Sequence, residues 1–179
     1  MAETDGLDLH AVWQQGMSYA SFIAEADSLQ KLWEGVYRTA RIPDWAVDGA
    51  RAAGKLHLVC STEDWCWDAA NSIPVVAKLC DTAGNAELRV VRRDEHPEVM
   101  DCYLTDGTRS IPIVVVLDAE FCKLGHWGPR ARDLQAWAKE NRPGMAKSEF
   151  YAALRKLYVK DRGESVLREL VALMGQEGP

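Results

Sequence analysis

Between residues 55 and 141, strand patterns and helix patterns alternate, and that alternation leaves few architectures open. Residues 55–60 (KLHLVC) read as a strand and 61–65 as a polar loop. A helix is expected over 68–81, with Pro74 inside it and Gly84 beyond its end. Residues 87–92 form a second strand, alternating at Leu88 and Val90. Strand, helix and strand in that order make a right-handed parallel crossover. Pro97 suits the first turn of a short helix to about residue 104, before a turn-rich loop at 105–110 (TDGTRS). A third strand at 113–117 and a fourth at 121–126 flank a tight turn at 118–120, so these two pair antiparallel. A helix over 131–141 places Leu134, Trp137 and Ala138 on one face before Pro143 and Gly144. The class is α/β: a central mixed sheet of about four strands flanked by helices.

The flanking segments are helical. Phe22, Ile23, Ala26, Leu29, Trp33, Val36 and Tyr37 recur at helical spacing over 17–41, and Asp44 caps a shorter helix to about residue 53. The segment 147–174 reads as two amphipathic pieces broken near Gly163, the second striped by Val166, Leu167, Leu170, Val171 and Met174. Residues 1–16 are polar and expected to be irregular. With 179 residues, the expected plan is one compact unit: an N-terminal helical extension (1–54), a core (55–141) and a C-terminal helical extension (142–179). The extensions cover the sheet or form a dimer interface; the oligomeric state stays open.

Composition removes several functions. The net charge is −6, which argues against nucleic acid and anionic membranes as partners. No run reaches the ~18–20 apolar residues of a membrane span, and the acidic start MAETDGLDLH lacks a leader pattern, so a cytoplasmic setting is expected. Five cysteines without a leader imply no disulfide framework. No metal-ligand spacing, phosphate loop or nucleophile elbow occurs, so no metal and no cofactor is expected.

The segment Glu63-Asp64-Trp65-Cys66-Trp67-Asp68-Ala69 joins the first core strand to its helix. A thiol there meets the unpaired N–H groups and positive dipole end of the helix, which lower its pKa. Asp64 and Asp68 act oppositely, and the net sign is open. This stretch resembles the redox loop of the thioredoxin-like superfamily, Trp-Cys-x-x-Cys. Pro74, Ile111-Pro112 and the element order agree with the resemblance, which covers the middle half of the chain. Arg93-Asp94-Glu95, Pro97, Met100-Asp101, Tyr103-Leu104-Thr105, Gly107 and Arg109 are similar to a set of bacterial thioredoxin family proteins. The resemblance implies a thioredoxin-like fold, Cys66 as catalytic nucleophile, a cis bond before Pro112, and a shallow groove in which Trp65, Trp67, Ile111 and Pro112 bind substrate.

Two departures stand out. The second motif cysteine falls at Ala69, so the loop is monothiol, and the buried aspartate six residues before the nucleophile is replaced by Cys60. Cys80 lies about 21 Å along the helix from Cys66, beyond disulfide reach. Cys60, Cys80, Cys102 and Cys122 are expected to be small buried hydrophobes. His126 is expected to pack rather than react, the run Arg92-Arg93-Asp94-Glu95 to be a solvated strand end, and Arg109 to be a loop cation able to steer an acidic thiol.

Two functions follow. In the first, Cys66 forms a mixed disulfide with a disulfide-containing or thiol-modified protein, and an external low-molecular-weight thiol such as glutathione resolves it. It carries a depressed Cys66 pKa. In the alternative, a redox-inactive module recognises a peptide or protein partner in the same groove, with an ordinary thiol.

Overall fold

A computed structural model describes residues 6–176. Residues 1–5, part of the segment expected to be irregular, lie outside it, as do 177–179. Five strands form one mixed sheet: β1 (Met17–Ser18), β2 (Leu56–Thr62), β3 (Ala86–Arg92), β4 (Ile113–Leu117) and β5 (Lys123–Trp127), in the order β1-β3-β2-β4-β5. β2 and β3 run parallel, with Cys60 opposite Val90; the other neighbours are antiparallel. The crossover between β2 and β3 is α5 (Trp67–Ala83), which Gly84 ends at φ 76. β2 and β4 are buried along their whole length, as central strands covered on both faces must be.

Helices supply the covers. α1 (Leu9–Gln15), α2 (Tyr19–Ala24), α3 (Gln30–Thr39) and α4 (Asp44–Ala52) precede the core strands; α6 (Pro97–Asp101), α7 (Arg132–Asn141), α8 (Lys147–Asp161) and α9 (Glu164–Met174) follow. α9 lies on α4, α5 and β5. A side chain on Gly49 would stand 2.4 Å from Val171, and one on Gly125 2.7 Å from Leu173, so two glycines admit this helix. Phe150, Leu154 and Tyr158 of α8 join Ala138 of α7 in a smaller core of their own.

The N-terminal extension differs from the helical pattern. Residues 17–41 are a two-residue edge strand and two helices, broken where Leu29 turns left-handed at φ 54. The break is held from far along the chain: the Asp64 carboxylate accepts the Asp27 and Ser28 N–H groups at 2.8 and 3.0 Å. Periodicity sees only local spacing, and so reads one helix. Residues 9–15, expected to be irregular, form α1, which Asp8 caps through the Ala11 N–H.

Two burial expectations fail. Cys102, at the end of α6, and Cys122, in the tight turn before β5, are exposed. The Arg92–Glu95 run is not wholly solvated: Arg92 sits between Glu25 and Glu63, each at 3.7 Å, with 19% of its side chain exposed.

Candidate functional site

The chain leaves the carboxyl end of β2 at Thr62 and turns through 63–66 into α5. Both acids in this turn act as fasteners. Glu63 accepts the Asp94 N–H at 3.0 Å, and Asp64 holds the 27–28 turn while its carbonyl accepts the buried Trp33 indole N–H at 2.9 Å. Asp64 therefore faces the N-terminal helices and does not act on the thiol.

Cys66 is the N-cap of α5, at φ −76 and ψ 113, and its Sγ accepts the Ala69 N–H at 3.5 Å. The thiol donates to the Ile111 carbonyl, also at 3.5 Å. Ile111–Pro112 is a cis peptide bond. The helix start and the loop before β4 thus meet at one sulfur atom. Only 7% of Cys66 is exposed. Burial pushes its thiol up to about 11; the Ala69 N–H pulls down, the Asp68 carboxylate pushes up, and the Asp68 N–H and Arg130 pull down. Desolvation prevails over the helix terminus. Cys60, on β2, is fully buried and its thiol is raised by desolvation and by the neighbouring Cys66.

Beside the thiol lies a buried charge network that the sequence did not reveal. Asp68 accepts Arg130 Nε at 2.8 Å and Nη2 at 2.5 Å, and the Tyr158 hydroxyl at 2.7 Å. Arg130 also donates to Gln135 at 2.9 Å. The network joins the start of α5 to the loop before α7 and to α8. Its members stand 62 and 90 positions apart, so no local motif announces them.

An open cleft of about 550 Å³ faces Cys66. Trp65, Trp67, Ile111 and Pro129 line one part; Arg130 and, from α8, Lys147, Tyr151 and Arg155 line the other. Trp65 stands at the rim, 49% exposed, with the Arg93 guanidinium 5.0 Å over its ring. Arg155 lies 4.8 Å over the Trp67 ring. Ala69 is fully buried beneath the thiol.

Other expected contributors lie elsewhere. Arg109 is paired with Asp101 at 2.7 Å, and His126 packs against Tyr103 at 4.8 Å. Among the described residues, no group of three His, Cys, Asp or Glu side chains converges as metal ligands would, and no helix is long and apolar enough to cross a membrane. A second hollow of about 440 Å³ lies by Tyr19, Tyr37 and Asp81. Its thiol, Cys80, is raised to about 12 by burial.

Comparison with known proteins agrees with the fold. A family model described as thioredoxin matches residues 16–142. Among solved structures, a protein of unknown function from Pseudomonas aeruginosa is similar at 16% identity and TM-score 0.74, covering 94% of this chain and 97% of its own. An HIV epitope-scaffold is similar at 17% identity and TM-score 0.73, over 94% of this chain and 98% of its own. At these identities the likeness is one of fold. No curated protein matches the chain in sequence.

Proposed function

The chain belongs to the thioredoxin family, and we propose that it uses this fold as a docking domain, in which an extended segment of a partner polypeptide lies in the cleft at a resting, protonated Cys66. The burial of Sγ carries this reading. At pH 7 a thiol of pKa about 11 is ionised to roughly one part in ten thousand. The stronger intrinsic nucleophilicity of a high-pKa thiolate recovers only part of that loss. Against a thiol tuned to pKa near 7, the net handicap is about a hundredfold. The missing thiol at Ala69 adds a second handicap, since no neighbour on α5 can release a mixed disulfide.

The cleft is suited to a peptide. Its lining joins aromatic and apolar side chains, Trp65, Trp67, Ile111 and Pro129, to the charged Arg130, Lys147 and Arg155, a mixture on which an extended chain can lie. The test is an array of immobilised ten-residue peptides probed with wild type and Cys66→Ser. Docking predicts the same spots for both proteins, cysteine-free peptides included. Retention of disulfide-bearing peptides alone, and by wild type alone, would overturn it.

That outcome would favour the second reading, monothiol redox exchange. The Ala69 and Asp68 N–H groups and Arg130 all favour the thiolate, which supports it. In that reaction Sγ attacks a substrate disulfide and expels one thiolate. An external thiol such as glutathione then attacks the substrate sulfur of the mixed disulfide, which expels the Cys66 thiolate and leaves the substrate joined to that thiol as a new disulfide.

A further inference from the structure

Lys147, Tyr151 and Arg155 recur every four residues, so they form one stripe on α8, and this stripe faces the cleft. The helix belongs to the segment beyond the family match, which ends at residue 142. The cleft's charges do not cancel. Asp68 is consumed by Arg130, whereas among the described residues neither Lys147 nor Arg155 has an ion-pair partner. Two cations without an ion-pair partner therefore line the cleft, in a chain whose net charge is −6. The Arg155 guanidinium rests over the ring of Trp67, itself a lining residue of the cleft.

We infer that α8 makes the cleft selective for an acidic partner peptide, with carboxylates at positions i and i+4 of an extended segment meeting Lys147 and Arg155. The geometry sets the spacing. The two cations stand eight positions apart on the helix, a rise of about 12 Å. In an extended chain, residues i and i+4 share a face and stand about 13 Å apart, with i+2 between them. Tyr151, midway along the stripe and exposed, then meets the i+2 side chain. The inference rests on the docking reading of the cleft and names its partner.

The test is fluorescence anisotropy with fluorescein-labelled ten-residue peptides in a Ser/Thr/Val host. One carries Glu at positions 3 and 7, one carries Glu at 3 and 6, one carries Lys at 3 and 7, and one is neutral. Wild type should bind the 3,7-Glu peptide at least about tenfold tighter than the neutral one at low salt, and the preference should shrink at 0.5 M salt, where the Debye length falls well below its value of about 8 Å at physiological ionic strength. Lys147→Glu combined with Arg155→Glu should reverse the preference toward the Lys peptide. Both residues are exposed, so unchanged circular dichroism is expected, and a gained preference cannot arise from misfolding. Equal binding of charged and neutral peptides, or of the 3,6- and 3,7-Glu peptides, would overturn this inference while leaving the docking reading intact. Absence of binding by all four peptides would overturn both.

Discussion

Replacing Asp68 by Asn removes one charge from a network that packing has closed. Asp68 and Arg130 expose only 10% and 19% of their side chains, so the guanidinium left behind cannot fully recover water. Breaking a buried pair from one side costs about 3–5 kcal/mol. The residual exposure of Arg130 and the acceptor retained by Asn place this variant near 3 kcal/mol. In a chain of 179 residues that lowers Tm by about 6–12 °C. Differential scanning calorimetry at pH 7 reads it. Asp68→Asn combined with Arg130→Met should lose less than Asp68→Asn alone, because no buried charge is stranded. The carboxylate also pushes the Cys66 thiol up, so the single variant should titrate at lower pH than wild type. A Tm drop below about 2 °C, or a double variant less stable than the single, would refute the account of the network.

Three further outcomes are expected. Cys102 and Cys122 should react with maleimide in the native protein while Cys60 and Cys80 react only on unfolding, as read by peptide mass spectrometry. Gly128→Ala would put a methyl 2.1 Å from the Pro112 carbonyl oxygen at φ 125, between backbone atoms that cannot yield; a loss of about 3 kcal/mol is expected in urea unfolding, and one below 1 kcal/mol would contradict the packing. Ala69→Cys places a second thiol one helical turn from Cys66, within the ~4.4–6.8 Å Cα range of a disulfide, so oxidised variant should lose two hydrogens by mass spectrometry and wild type none.

The core of the fold was legible because its signals are local. Each core strand has its own apolar run, Gly84 marks the end of α5, and the short turn at 118–120 forces β4 and β5 antiparallel. Cys66 at a strand-to-helix junction was legible for the same reason. What escaped depends on distant contacts. The turn at 27–29 exists because Asp64 holds it, and a two-residue strand such as β1 has no period to read. The polarity of Cys66 was undecidable from sequence, since the helix terminus and burial act oppositely and only packing sets their balance. Arg109 was the visible candidate for anion steering, yet it spends its charge on Asp101. The cleft's cations without an ion-pair partner among the described residues are Lys147 and Arg155; their helical spacing can be read from the sequence, but not that α8 turns that stripe into the cleft.

The most direct test of the central claim is the pH profile of Cys66 alkylation by iodoacetamide from pH 5 to 12. It uses a protein carrying Cys102→Ser and Cys122→Ser, with Cys66→Ser added as the blank, followed at the Cys66 peptide by mass spectrometry. A sheltered thiol predicts slow labelling with a midpoint near 11. A midpoint well below the ordinary value of about 8.5 would contradict it, and would identify Cys66 as an activated nucleophile.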